Sequence, residues 1–186
     1  DDIENRVKER LTREFFLERA DQGDKDAQYG YACMCYEGKG GIRDYFSARK
    51  YFKFAADQNC RLSQYRYAHM CFEGVAGGCL DVEDGFILAR KYYGQSADQG
   101  YKMAQFNYAL MWFEGKGGLK DTRTAKGYYS LASTPSYHGG SIGTSTKNNK
   151  VLEECQVVFD LLNKINRAGK GDHFFLYEYA KMCSKG

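Results

Sequence analysis

The sequence predicts an all-α protein, a right-handed α/α superhelix (solenoid) built from two-helix repeats of about 36 residues. The first observation is a segment that occurs three times, at 31–38, 67–74 and 108–115, with the pattern Tyr-Ala-x-Met-x-aromatic-Glu-Gly. The second is an Ala-Asp-Gln signature just before each of the three predicted repeats, with the same spacings of 36 and 41 residues. The signature begins at Ala20, Ala56 and Ala97.

The first helix of each repeat, helix A, is predicted at about 25–37, 61–73 and 102–114. Each helix A is followed by a glycine, which adopts the left-handed backbone conformation that ends a helix without strain. A glycine-rich turn then leads to an aspartate whose side chain is expected to cap the second helix, helix B. The glycines are Gly38, Gly74 and Gly115, and the aspartates are Asp44, Asp84 and Asp121. The extra residues of the middle repeat are expected to form a loop, mostly at 75–82.

We expect residues 1–186 to form a single solenoid domain, and the absence of an initiator methionine suggests a fragment of a longer protein. Residues 137–150 are rich in Gly, Ser, Thr and Asn, which predicts an irregular loop. The predicted elements are an N-terminal helix at 3–21, repeats at about 24–59, 60–100 and 101–136, this loop, and C-terminal helices at 151–167 and 172–184.

The pattern resembles the Sel-one-like repeat (SLR), a relative of the tetratricopeptide repeat. The 36-residue period and the Glu-Gly-x-Gly turn favour it over the tetratricopeptide unit, whose period is about 34 residues. The resemblance covers residues 20–132 and implies a solenoid that binds protein partners. Members of the family include adaptors of endoplasmic-reticulum degradation complexes, activators of chitin synthase and bacterial host-interaction proteins. The residues that carry it in the first repeat are Ala27, Tyr31, Ala32, Glu37, Gly38, Gly40, Asp44, Ala48, Tyr51, Ala55 and Ala56.

By analogy with the related repeats, helix A is expected to line the concave side of the solenoid. Aromatic side chains at such sites supply a large contact area at low entropic cost. We name this predicted binding site the helix A surface. It comprises Tyr29, Cys33, Tyr36, Tyr65, His69, Phe72, Phe106, Leu110 and Phe113. The alternative is that these aromatic residues belong to the core, as aromatic residues at helical spacing often do. The predicted function is a non-catalytic protein–protein interaction scaffold or adaptor that binds a peptide or protein segment.

Two other functions remain open. Residues 47–50 match the Ser-x-x-Lys motif of penicillin-recognising enzymes, and some cysteine-rich members of the resembled family bind or hydrolyse β-lactams. The partner motifs Ser-Asp-Asn and Lys-Thr-Gly are absent, and Cys60, Cys79 and Cys155 show no repeating pairing. The second alternative is a regulatory module that docks a catalytic domain of a larger enzyme. No catalytic residue is predicted.

No cofactor or metal site is predicted. The glycine-rich turns at 38–41 and 115–118 lack the spacing of a phosphate-binding loop and follow a helix rather than a strand. The pairs Cys33-x-Cys35 and His69-x-Cys71 would point to different sides of a helix, so neither pair can bind one metal ion. We interpret these cysteines as packed thiols.

Composition limits the partners. The formal net charge of +3 arises from 27 basic and 24 acidic residues, which is too balanced to predict a nucleic acid partner. Apolar runs are far shorter than the roughly 20 residues that cross a bilayer, so membrane insertion is not expected.

An odd number of cysteines, seven, favours a reducing, cytoplasmic location, with the endoplasmic-reticulum lumen or secretion as alternatives. The oligomeric state is left open. The basic residues of helix B are predicted to form a solvated convex stripe of Arg49, Lys50, Lys53, Arg90, Lys91 and Lys126.

Overall fold

The structure is a computed structural model that describes residues 2–77 and 81–134. These residues form seven α-helices and no strand. The helices are α1 (Asp2–Asp21), α2 (Lys25–Glu37), α3 (Tyr45–Asp57), α4 (Arg61–Phe72), α5 (Val82–Asp98), α6 (Lys102–Glu114) and α7 (Thr122–Ser133). The all-α prediction is confirmed. No helix in the described ranges combines the length and the apolar character needed to cross a bilayer.

The chain divides into two compact units, Asp1–Tyr128 and Tyr129–Gly186. The first unit contains α1 to α6 and the beginning of α7. In the second unit the described residues complete α7, where the Ser133 hydroxyl donates to the Tyr129 carbonyl across 2.7 Å. The loop predicted at 137–150 and the helices predicted at 151–167 and 172–184 lie outside the described residues.

In the first unit, α2 packs on α3 and α4 packs on α5, so that each pair of helices forms one repeat. The pairs are joined in chain order by contacts of α1 with α2, α3 with α4, and α5 with α6. Contacts between successive elements of this kind are the defining feature of a solenoid. Small side chains on helix A permit the close packing, since Ala32, Ala68 and Ala109 are fully buried.

Within each repeat, a tyrosine of helix A meets a tyrosine of helix B edge to face. The ring centroids are 4.7–4.8 Å apart and the planes are nearly perpendicular, which is a favoured aromatic geometry. This contact explains why tyrosine recurs at the start of the repeated segment. The pairs are Tyr31 with Tyr51, Tyr67 with Tyr92, and Tyr108 with Tyr128.

The Ala-Asp-Gln signature forms the junction between repeats. Its aspartate accepts a hydrogen bond from the helix B tyrosine of the following repeat, as in Tyr92 to Asp57 at 2.7 Å. The equivalent bonds join Tyr51 to Asp21 and Tyr128 to Asp98. Because the signature recurs, successive helices B are connected in the same way throughout the unit.

Glutamines complete these junctions. A buried glutamine of helix A donates to the alanine carbonyl of the preceding signature, as Gln64 does to Ala56 at 3.3 Å. The signature glutamine of the next junction bonds to the same side chain, since Gln99 donates to Gln64 Oε1 at 2.6 Å. A buried amide requires such partners, because an unpaired polar group inside the protein is costly.

The glycine-rich turns pack directly on the preceding helix B. Gly40 and Gly117 both have a positive φ, 68° and 69°. A Cβ atom at these positions would lie only 2.4 Å from the carbonyl oxygens of Glu9 and Phe86, respectively. Glycine is therefore needed for close backbone approach, which supports the interpretation of these segments as turns.

One predicted cap is wrong. Asp44 and Asp121 accept the first backbone N–H groups of α3 and α7, as predicted. In the middle repeat, however, Asp81 is the cap and accepts from the backbone N–H of Asp84 at 2.8 Å. The reason is that part of the extra segment becomes helical, so that α5 has 17 residues whereas α3 has 13. Val82, expected in the loop, is the first residue of α5.

The predicted solvated stripe on helix B also needs correction. Lys50, Lys53 and Lys91 are exposed, but Arg90 is only 8% exposed and Arg49 is half-buried. The Arg90 guanidinium lies 3.6 Å from the centre of the Trp112 ring and donates to the Leu119 carbonyl at 2.9 Å. A planar guanidinium can stack on an aromatic ring and bond at its edge, which an ammonium group cannot do. At the equivalent positions of the preceding helices, Arg13 lies over the Tyr31 ring and Arg49 lies over the Tyr67 ring.

Candidate functional site

The residues of the helix A surface lie on α2, α4 and α6. Eight of the nine predicted binding residues are half-buried, so each keeps part of its side chain accessible. The exception is Phe113, which is 8% exposed and packs inside its repeat, with Lys120 Nζ 4.8 Å from its ring centre. Phe106 and Leu110 are half-buried on α6.

Two of the predicted residues near the C-terminal ends of helix A contact helix B aromatic rings. Tyr36 meets Tyr45 with ring centroids 5.2 Å apart, and Phe72 meets Phe86 at 5.3 Å. Lys116 Nζ lies 4.9 Å from the centre of the Phe72 ring. These rings are therefore shared between the core and the surface.

Four of the predicted residues are brought together around an arginine. We define the Arg66 cluster as Arg66 with the side chains that surround it. The Tyr65 ring stacks almost parallel to the His69 ring, with centroids 6.2 Å apart, and meets the Tyr101 ring at 5.0 Å. His69 Nδ1 is 3.3 Å from the hydroxyl of the fully buried Tyr93. The cluster consists of Tyr29 and Cys33 of α2, Tyr65, Arg66 and His69 of α4, and Tyr101 at the start of α6.

The tyrosine, cysteine and histidine side chains of the Arg66 cluster are neutral at physiological pH. Burial raises the pKa of Tyr29 and of Tyr65 to about 12 each, and it raises the pKa of the Cys33 thiol. Burial also lowers the pKa of His69, although the nearby Glu73 opposes this effect. The positive charge of Arg66 opposes this effect of burial on the pKa of Tyr29, Cys33 and Tyr65. Arginine itself stays protonated in proteins.

The sequence analysis did not identify Arg66. The equivalent positions of the first and third repeats hold Gly30 and Asn107, so no recurring motif marks this residue. The available signal was the departure from the repeat pattern, a charged side chain at a position occupied elsewhere by a small or neutral residue. Repeat alignment emphasises what the copies share and therefore passes over such a residue.

The candidate chemistry of the other motifs is accounted for by packing. Cys35 and Cys71 are buried cysteines, in agreement with their interpretation as packed thiols. The described residues contain no group of three potential metal ligands. The Ser47 backbone N–H donates to the Asp44 carboxylate at 3.1 Å, and Ser47 holds the pKa of that carboxyl below its usual range. Ser47 therefore takes part in the cap of α3. Cys79 and Cys155 lie outside the described residues.

An open cavity of about 340 Å³ lies beside helix B of the middle repeat. Arg90, Asp98 and Tyr108 contribute to its lining. Their polar and aromatic groups already have partners within the fold, since Arg90 donates to Leu119 and Asp98 accepts from Tyr128.

Comparison with known families gives a match to the Sel1 repeat, the family that the sequence analysis called the Sel-one-like repeat. The three matched segments are residues 25–60, 61–101 and 102–134. Each segment contains one helix A and the helix B that follows it. A search of the curated proteins found no match.

Solved structures of two bacterial proteins are similar to this chain. One is a Sel1 repeat protein from Oxalobacter formigenes, with a TM-score of 0.61 and 23% identity, covering 67% of this chain and 49% of that protein. The other is a protective antigen present in uropathogenic Escherichia coli strains, which displays an SLR fold. Its TM-score is 0.61 at 22% identity, covering 82% of this chain and 34% of that protein. The match thus spans about half of the first protein and about a third of the second, and the likeness is one of fold.

Proposed function

The chain belongs to the Sel1 repeat family, and from this premise we propose that it is a non-catalytic scaffold or adaptor whose helix A surface binds a segment of a partner protein. Sel1 repeat proteins generally mediate protein–protein interactions. The proposal adds a particular surface, a peptide or protein segment as the ligand, and the absence of catalysis.

One observation carries the proposal. Tyr29, Tyr65 and Phe106 occupy equivalent positions in three successive repeats, and each is half-buried. Tyr67, two residues beyond Tyr65 on the same helix, is only 3% exposed. Helix α4 therefore has a buried face that contains Tyr67 and a partly exposed aromatic face that contains Tyr65. Partly exposed aromatic side chains on rigid helices are typical of interface anchors, because they bury a large area with little loss of conformational freedom.

The alternatives have less support. The Ser-x-x-Lys hypothesis lacks its partner motifs, and the backbone N–H of Ser47 takes part in the cap of α3. A docking module in a larger enzyme would use the same surface with a segment of its own polypeptide as the ligand.

The test is affinity capture with the wild-type chain and with the double variant Tyr65→Ala/Phe106→Ala. The matched control is Phe46→Ala/Phe54→Ala, which removes two exposed aromatic rings from helix B of the first repeat. We expect a captured protein to be retained by the control and lost from the helix A variant. The captured protein is then purified and its affinity for all three chains is measured by calorimetry, where the helix A variant should bind at least about tenfold more weakly.

Tyr65 also packs on Tyr93 and Tyr101, so folding of the variant must be verified by circular dichroism. Leu110→Lys provides a second variant that adds charge to the surface without removing a packed ring. If both helix A variants fold and bind with wild-type affinity, the proposed surface is wrong.

A further inference from the structure

We propose that α1 is a homodimerisation helix, through which two copies of this chain associate by packing the same apolar row against itself. The members of this row lie four residues apart along the helix, and their exposed fractions range from 53% to 78%. We name them the α1 row, and they are Ile3, Val7, Leu11 and Phe15. The inference goes beyond the proposed function, because it concerns a surface other than the helix A surface.

The α1 row lies on the side of α1 that faces away from α2. The opposite side packs on the solenoid, since Phe16 and Leu17 contact the core and Ala20 is 2% exposed. Val7 and Phe16 are nine residues apart, as are Leu11 and Ala20. Nine residues of an α-helix make about two and a half turns, which places the two sets on opposite sides. The helices that the structure describes therefore leave the α1 row open.

One replacement removes the hydrogen bond with which a preceding repeat would be joined to α1. The helix occupies the position of a helix B, because Ala20 begins the first Ala-Asp-Gln signature. Five residues before the signature alanine, α3 and α5 have a tyrosine that donates to the preceding aspartate, namely Tyr51 and Tyr92. At this position α1 has Phe15, which has no hydroxyl. The junction bond of the solenoid is therefore not available at α1.

A second replacement is incompatible with the close packing of another helix A. One residue before the signature alanine, Ala55 of α3 and Ser96 of α5 are fully buried. At this position α1 has Arg19, which is exposed, forms an ion pair with Asp24 and lies over the Phe15 ring. A close contact between two helices requires a small side chain there. The exposed face of α1 thus departs from the pattern of a repeat junction, and the α1 row needs a different partner.

The charge of α1 favours its own copy as that partner. The helix has five basic and six acidic residues, and two ion pairs within the helix flank the row, Arg6 with Asp2 and Arg10 with Glu14. A helix that binds a membrane surface has an excess of basic residues on its polar face, and a nucleic acid also requires a basic surface. A nearly neutral helix can approach its own copy without strong repulsion, and the apolar row is complementary to itself.

The dimensions of the α1 row fit a weak symmetric contact. Side chains spaced by four residues form a ridge that packs into the grooves of another helix. A two-fold axis near the middle of the row would place Val7 of one copy against Leu11 of the other. Two such rows bury on the order of 1,000 Å², which is the lower limit for a specific interface. We therefore expect a monomer–dimer equilibrium with a dissociation constant in the micromolar range.

The test is sedimentation velocity of the full chain under reducing conditions, with the wild type and the variant Val7→Glu/Leu11→Glu. The matched control is Ile42→Glu/Leu119→Glu, which adds the same charges at two aliphatic residues of the turns that are 85% and 87% exposed. We expect the wild type and the control to dimerise equally. The α1 variant should raise the dissociation constant at least about tenfold. Circular dichroism verifies that each variant keeps the helix content of the wild type.

A charge-swap mixture tests whether the α1 row packs against itself. The opposite variant, Val7→Lys/Leu11→Lys, should also be monomeric when it is alone, because its introduced ammonium groups repel each other. In an equimolar mixture of the two variants, each introduced carboxylate faces an introduced ammonium group. The mixture should therefore dimerise at least about tenfold more tightly than either variant alone. No such rescue is expected if the row contacts a different surface of the second copy.

A wild-type chain that stays monomeric throughout the micromolar range would overturn the proposal. So would a dimer that persists in the folded α1 variant, or one that is lost to the same extent from the control. A mixture that dimerises no better than its separate components would overturn the packing of the row against itself. Each of these results leaves the proposed scaffold function standing, because the helix A surface is not altered in any of the variants.

Discussion

The hydroxyl of Tyr92 donates a hydrogen bond to Oδ1 of Asp57 across 2.7 Å, and this bond joins helix B of the middle repeat to helix B of the first. Tyr92 is 5% exposed, and Lys53 Nζ contacts the other oxygen of Asp57 at 2.6 Å. The same relationship recurs at both neighbouring junctions. Each of these hydrogen bonds thus joins two successive units of the solenoid through a tyrosine and an aspartate that lie 30 or 35 residues apart in sequence.

Removal of the Tyr92 hydroxyl should weaken this junction. We expect Tyr92→Phe to lower the free energy of unfolding by about 1 kcal/mol, because the bond is made to a charged group that is itself partly solvated. Urea denaturation provides the measurement. Tyr36→Phe is the matched control, since it removes a phenolic hydroxyl away from the junctions. Equal stability of the two variants would show that the junction bond adds nothing.

The glycine-rich turn should tolerate no side chain where it packs on helix B. In Gly117→Ala the new Cβ would lie 2.4 Å from the Phe86 carbonyl oxygen, in a residue whose φ is 69°. We expect a loss of about 3 kcal/mol in the free energy of unfolding, from the backbone conformation and from steric overlap together. Gly100→Ala is the control, because Gly100 has a φ of 79° and open space around its Cβ position. That variant should lose only about 1 kcal/mol.

Arg90 and Arg66 should respond in opposite ways to the same substitution. Arg90→Met removes the contact with Trp112 and leaves the Leu119 carbonyl without its donor, so we expect a loss of about 2 kcal/mol. Arg66→Met removes a charge that has no counter-ion within the described fold, so stability should stay the same or rise. Urea denaturation of both variants decides the matter. A clear loss for Arg66→Met would indicate that this arginine has a structural role.

His69 should make stability depend on pH between 5 and 7. Burial lowers the pKa of His69 in the folded state, whereas the unfolded chain has the ordinary histidine value of about 6.5. The unfolded state therefore binds more protons in this range, and stability falls as the pH is lowered from 7 to 5. We expect the melting temperature of His69→Gln to vary less with pH than that of the wild type. Parallel melting curves across this range would show that His69 titrates as it does in the unfolded chain.

Much of the fold could be predicted from the sequence because the same helix-ending glycines, capping residues and buried positions occur in each repeat. Helix A of each repeat begins at the predicted residue, and Gly38 and Gly115 have the left-handed conformation expected of helix-ending glycines. The preference for aspartate at a helix N-terminus does not decide which of two nearby aspartates caps the helix. Asp81 and Asp84 both suit a helix N-terminus, and the cap is Asp81 because the helix is longer than its counterparts.

The candidate site was predicted only in part. Helical spacing placed Tyr29 and Tyr65 on one surface, and the structure leaves both half-buried there. The same spacing also selected Phe113, whose burial depends on the side chains around it. Spacing along a helix gives the direction of a side chain, but the exposed area depends on which neighbouring helix covers it.

The repeat, the alternation of helix A and helix B, and most of the helix ends follow from the order of residues alone, because backbone conformation and apolar periodicity are local properties. Only the tertiary structure decided which polar side chains have partners. Arg90 and Arg66 look equally like surface arginines in sequence, but one reaches a carbonyl and a tryptophan ring while the other lies among neutral tyrosines. The difference arises largely from neighbouring repeats, since Leu119 lies 29 positions beyond Arg90 and Tyr29 and Cys33 belong to the repeat before that of Arg66.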